Sequence, residues 1–142
     1  MSAAAGVLVL AGRLLFSVFF VRSGIGHVKR SQAMGDYARS AAFPAPSLAG
    51  WPAGVWLLVA SLSIVLGIWP DLGSLMVAVF VVLTGLYFHR FWAIEDPAQR
   101  QTQSGSFFRN VALLGASLAM FGFFASAGEA LRFAITKAVF SF

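Results

Sequence analysis

The sequence predicts an all-α protein: a four-helix transmembrane bundle with a short C-terminal amphipathic helix at the membrane interface. Three observations carry this. Four long apolar stretches fill most of the 142 residues, at about 6–28, 51–69, 72–91 and 107–125. Each is about 19–23 residues long, and a helix rising about 1.5 Å per residue needs about 20 to cross a hydrocarbon core of roughly 30 Å. The few charges sit almost entirely between the stretches. Hydrophobic residues make up 59% and charged residues 11%, against about 45–50% and about 25% in soluble domains. A soluble chain this short has no interior large enough to hide four such stretches.

The first stretch opens without Lys or Arg in residues 1–12, which argues against a cleaved signal peptide, since that needs a basic leader. The first connection, 29–50, is the longest and carries Lys29, Arg30 and Arg39. The second is a tight turn at Pro70–Asp71 with no positive charge. The third, about 90–106, carries Arg90 and Arg100, and Arg109 lies just inside the next helix. The tail, 127–142, is too short and too polar for a fifth span. At helical spacing Leu131, Ala134, Ile135, Ala138 and Phe142 share one face, and Glu129, Arg132 and Thr136 another. That pattern suits a helix lying on the membrane. No Pro/Gly/Ser-rich linker divides the chain, so residues 1–142 are read as one domain.

With four spans, the first and third connections share one side. They carry six basic residues against two in the tail, Arg13 and Arg22 being set aside within the first span. The positive-inside rule then puts the long loops in the cytoplasm and both termini outside. Trp51, Trp56, Trp69 and Trp92 fall near the span ends, where an aromatic belt is expected. The net charge of +5 reads as loop charge facing anionic headgroups rather than a nucleic-acid surface. Absence of cysteine removes disulfides, thiolate metal sites and Cys-based redox centres. In the fourth span Ala112 and Ala116, and Gly115 and Ala119, have the small-xxx-small spacing that lets helices approach closely, within one chain or between chains.

Few residues could carry chemistry. Arg13 lies about 10 Å into the first span at the helical rise, where an ion costs about 2.5–3.5 kcal/mol. It shares a face with Ser17, Phe20, Gly24 and His27, and its nearest acids in this topology are Asp71 and Glu129. It either snorkels outward, forms a structural ion pair, or marks a site. Arg22 points the other way, toward the cytoplasmic headgroups. His27 ends the first span and His89 the third, so both reach the cytoplasmic interface. Two imidazoles at equal depth can ligate haem or a metal, hydrogen-bond a quinone carbonyl, or simply be hydrated. Haem is the less favoured reading and no metal site is predicted. No nucleophile triad, phosphate loop or intramembrane carboxylate pair is found, and nothing suggests the broken helices of a transporter.

His89-Arg90-Phe91-Trp92, then Phe108-Arg109-Asn110-Val111-Ala112-Leu113-Leu114-Gly115, resemble motifs of the DoxX family of small four-span membrane proteins. The opening Arg13-Leu14 through Phe20, with Ser23-Gly24 and Lys29, is similar to its first span. The resemblance runs from about Arg13 to Phe124. Two positions depart from the pattern. Leu57 stands where an acid is common, and Asp71 stands where a basic residue is common. The resemblance implies a multi-pass protein of a bacterial inner membrane, tied to quinone-associated respiratory complexes. It implies a non-catalytic accessory subunit of a membrane oxidoreductase, partnered by the bilayer and by other membrane subunits or copies of itself. The alternatives are a quinone-binding redox protein in its own right and, more weakly, a small-solute transporter. A quinone headgroup site would be framed by His27, His89, Arg22, Trp92, Arg109 and Asn110.

Overall fold

The computed structural model describes residues Met1–Ser141. Five α-helices carry the chain: α1 Ala3–Lys29, α2 Ser31–Ser40, α3 Trp51–Leu66, α4 Pro70–Phe88 and α5 Pro97–Ala127. No strand occurs among the described residues. α1 packs on α3, α3 on α4 and α4 on α5. Three helices, α1, α4 and α5, are long and apolar enough to cross a membrane. α3 is apolar but shorter, at 16 residues or about 24 Å.

Polarity is distributed inside out. Leu8 and Leu15 are 73% and 76% exposed, and Val18, Val59 and Leu62 also face outward. Arg13, Ser17, Ser61, Asp71, Ser74 and Ser117 are buried. Between them a core forms from Phe20, Leu57, Ala60, Ile64, Val77 and Val81. Leu57, where the resemblance made an acid the common expectation, is ordinary core. Helices without a hydrophobic drive between them associate through close backbone approach and polar contacts. α1 and α3 meet where Gly24 faces Gly54, and a Cβ on Gly54 would lie 2.7 Å from the Gly24 carbonyl oxygen. α4 approaches α3 at Gly73, where a Cβ would lie 2.8 Å from the Ala60 oxygen. The stripe of Ala112, Gly115, Ala116 and Ala119 instead faces outward, with open space beside Gly115. Among the described residues nothing lies within 4 Å of a Cβ placed on Gly115.

The turn between α3 and α4 differs from the sequence expectation. α3 ends at Leu66, the turn is Gly67–Trp69, and Pro70 and Asp71 open α4. Gly67 takes the left-handed conformation that ends a helix, at φ 65°, and proline suits a first helical turn. Trp69 is also left-handed, at φ 47°. Ser63 Oγ, lying 2.6 Å from the Ile68 oxygen and 2.9 Å from the Trp69 oxygen, holds this turn. Two connections also contain helix that the apolar pattern hides. α2 lies within the first, and α5 begins ten residues early because Asp96 caps the Gln99 N–H at 2.8 Å, just before Pro97.

The C-terminal tail is not an amphipathic helix. After a single 3-10 turn at Gly128–Ala130 it runs as irregular chain to Ser141. Phe142, assigned to its apolar face, lies outside the described residues. The tail donates its backbone hydrogen bonds to the bundle instead of to itself. Ile135 N–H donates to the Leu66 and Gly67 oxygens, Thr136 N–H to the Gly67 oxygen at 2.9 Å, and Phe140 N–H to Asp71 Oδ2 at 2.7 Å. Acceptors left free at the end of α3 and the start of α4 offer the tail better partners than its own carbonyls.

Candidate functional site

At the end of the bundle where α1 and α4 finish, the chain forms a half-open cavity of about 440 Å³. α1, α3 and α4 form its walls, and α2 with the 41–50 segment covers it. His27 and His89 both line it, with Tyr37, Phe43, Trp56, Phe80, Thr84 and Phe88 among the larger neighbours. The lining is almost entirely apolar carbon apart from these few heteroatoms.

His27 reaches this position because the Gly24–Gly54 contact draws the end of α1 against the start of α3. Its Nδ1 then lies 2.6 Å from the Ala49 oxygen. A carbonyl only accepts, so Nδ1 carries the proton and donates. The ring stands edge-on to Phe80 at 5.8 Å. His89 follows the last residue of α4, and its Nδ1 lies 2.8 Å from Gln103 Oε1 on α5. Tyr37 from α2 stacks on Phe88 at 5.4 Å, and Phe43 packs against Tyr87 and Phe88. These rings line the side of the cavity toward α2.

The six residues expected to frame one site are divided. His27 and His89 share the cavity. Asn110 stands behind its wall, donating to Thr84 Oγ1 at 2.7 Å and to the Val81 oxygen at 3.1 Å, and so ties α5 to α4. Arg22 lines a neighbouring groove of about 290 Å³ with Ser23, Gly26 and Arg30, which meets the cavity at His27 and Met34. Arg109 lies over the Phe19 ring at 5.8 Å, away from the cavity. Trp92 packs on Phe91 and Phe107. The aromatic lining from Tyr37 and Phe43 escaped the sequence reading because both lie in a connection, outside any apolar run. Their signal was the spacing of Met34, Tyr37, Ala38 and Ala41 at helical intervals.

At the opposite end Arg13 is buried, 1% exposed. It does not snorkel outward, and among the described residues it pairs with no acid. Nε donates to the Ile64 oxygen at 2.7 Å and Nη2 to the Val65 oxygen at 2.7 Å. Nη1 donates to the Phe133 oxygen at 3.0 Å and more weakly to the Arg132 oxygen at 3.4 Å. The two acids expected nearby are occupied elsewhere. Asp71 accepts from the tail, and Glu129 pairs with Lys137. The Lys137 ammonium holds the exposed Glu129 carboxyl below the usual carboxylate range, by a hydrogen bond first and by charge second. Among the described residues no group of three or more His, Cys, Asp or Glu comes together as a metal site.

An apolar exterior, several buried polar side chains and helices of spanning length define a small multi-pass membrane protein. The DoxX family model matches residues 8–90, more than half of the chain, and the protein belongs to that family. The matched segment includes Arg13, His27 and His89 and stops before Trp92, Arg109 and Asn110. No curated relative and no solved structure matches the chain.

Proposed function

We propose that the protein is a membrane subunit that holds a quinone-class ligand in the His27/His89 cavity, next to a partner that carries the redox chemistry. One observation carries this: an apolar cavity of about 440 Å³ with two imidazoles in its wall. That volume falls in the range of about 300–1,000 Å³ typical of small-molecule sites, which pair an apolar lining with a few placed polar groups. A substituted benzoquinone ring presents broad apolar faces, which suit this lining. The chain has no cysteine, which removes thiol-based redox centres.

The same reading takes all four long helices across a bacterial inner membrane. Trp51 and Trp69, both exposed, flank the shorter α3 as interfacial anchors. The long basic connections then face the cytoplasm and the cavity opens at that depth. The test is to purify the protein in mild detergent, extract it with organic solvent and quantify quinone, then titrate it with decylbenzoquinone. Retained or saturably bound quinone, lost when His27 and Phe80 are changed to bulkier Trp, is expected. Absence of both retained quinone and titratable binding would overturn the proposal. Co-purification at native expression tests the subunit role, and a lone, stable species would count against it.

A further inference from the structure

Beside the cavity, α1 presents a basic groove of about 290 Å³. Phe19, Arg22, Ser23, Gly26 and Arg30 line it, and their three- and four-residue intervals put them on one stripe of the helix. Arg30 follows the last residue of α1 and has open solvent ahead of it. It folds back instead, with Nη2 3.3 Å from where a Cβ on Gly26 would stand. The missing side chain at Gly26 makes room for this, and the guanidinium turns toward Arg22, one helical turn further along. A third cation, Arg109 of α5, lies 5.8 Å over the ring of Phe19, a wall of the groove.

No acid answers these charges. Among the described residues Arg22 and Arg30 make no side-chain hydrogen bond or ion pair. Neither donates to the carbonyls left free at the end of α1, the ordinary use of a cation there. The nearest acid along the chain, Asp36, is taken by Arg39. Convergent like charges repel, and an anion between them turns the repulsion into attraction. A guanidinium is a planar fork that matches phosphate oxygens with two parallel bonds. The surroundings select the kind of phosphate. Beyond Arg22 the same stripe continues as Phe19, Leu15 and Leu8, all exposed. A molecule whose phosphate sits on the arginines therefore lays its remainder along an apolar track about a dozen residues long, which suits acyl chains.

We infer that this groove binds the headgroup phosphate of an anionic phospholipid, held by Arg22 and Arg30, with its acyl chains along Phe19 and Leu15. Basic pockets against spanning helices are suited to such headgroups. The site is separate from the quinone-class cavity and does not depend on that reading.

The test is native mass spectrometry of the full chain in mild detergent. The probes are phosphatidylglycerol and phosphatidylcholine with the same acyl chains. Phosphatidylglycerol should be held about tenfold more tightly, the equivalent of one charge-assisted bond, because the choline ammonium is repelled by the arginines. Arg22→Gln and Arg30→Gln should each remove most of that preference. Arg22→Lys and Arg30→Lys, which keep the charge but lose the fork, should fall between. Arg100→Gln removes the same charge from an exposed position outside the groove and should leave the preference intact. Arg22 and Arg30 are themselves exposed, so helix content by circular dichroism should not change; the Lys variants carry the test should a Gln variant lose helix. Equal retention of the two lipids by the unaltered protein would overturn the inference. So would equal losses in the Arg22, Arg30 and Arg100 variants, the mark of general attraction to basic loops, or a preference unchanged by any substitution in the groove. Displacement of phosphatidylglycerol by millimolar inorganic phosphate would assign the groove to a free phosphate and overturn the lipid.

Discussion

Replacing Arg13 by Gln should unlatch the C-terminal tail and destabilise the whole bundle. The guanidinium makes two bonds of 2.7 Å to the last turn of α3 and one of 3.0 Å to the tail. Bonds from charged donors contribute about 1.5–3 kcal/mol each. Three of them exceed the roughly 2.5–3.5 kcal/mol needed to hold an arginine at membrane depth. The cation also sits at the negative end of the α3 dipole, which favours it further. Gln has one donor group, carries no charge and is too short to serve both α3 and the tail. A loss of about 3–5 kcal/mol is expected, the size seen when one partner of a buried charge interaction is removed. Thermal unfolding in detergent, followed by circular dichroism, measures the loss. Trypsin gives a second readout, because Arg132 and Lys137 lie in the tail and should be cut much faster in the variant. Lys in place of Arg should recover only part of the stability, since an ammonium cannot reach three separated carbonyls as a fork does. An unfolding midpoint equal to that of the unaltered protein, with tryptic cleavage of the tail unchanged, would refute the capping role.

Three further outcomes follow from the geometry. Gly67→Ala should lower the unfolding midpoint sharply, because the residue is at φ 65° and its new Cβ would lie 2.6 Å from Ala134; Gly115→Ala, which meets open space, should not, and equal effects of the two would remove the packing argument. Glu129 is ionised more readily in the folded chain than when unfolded, so its pairing with Lys137 supports stability above the usual carboxylate range and is lost only as pH falls below it. Tail protection against trypsin should thus be flat from neutral pH down to that range in the unaltered protein, and a loss already present near neutrality would contradict it. A cysteine at Ser2 should be labelled by an impermeant maleimide in intact cells, as the proposed orientation requires, and shielding of that position would reverse the topology.

Much of the architecture was legible in the apolar runs, because length and hydropathy report directly on spanning helices. The buried face of α1, with Arg13, Ser17, Phe20 and Gly24, followed from helical periodicity alone. The partners of Arg13 did not. They are backbone carbonyls more than fifty residues away, and a carbonyl has no letter in a sequence. The tail misled for a related reason. Its apolar spacing fits a helix, but spacing carries no record of the free acceptors at the end of α3 that draw its N–H groups away. At the other end, the joint placement of His27 and His89 followed from helix direction. The roof over them was not legible, since α2 is too short and too polar to stand out from a loop.

The short α3 explains why an arginine is needed at all. Gly54 lies against Gly24, so the start of α3 is level with the end of α1. α3 then runs back along α1 for 16 residues and stops beside Arg13, leaving the first turns of α1 overhanging. Arg132 of the tail packs at Gly6 and fills that overhang. A step of this kind brings two sets of unsatisfied carbonyls together in an apolar setting: those ending α3, and those of a tail with no regular structure. Water cannot serve them at membrane depth, and an unpaired carbonyl there costs several kcal/mol. One guanidinium, with five N–H donors in a planar fork, satisfies both sets at once. The bonds of Arg13 are thus spent on carbonyls of the fold itself, and this is why the functional argument rests on the His27/His89 cavity rather than on the buried charge.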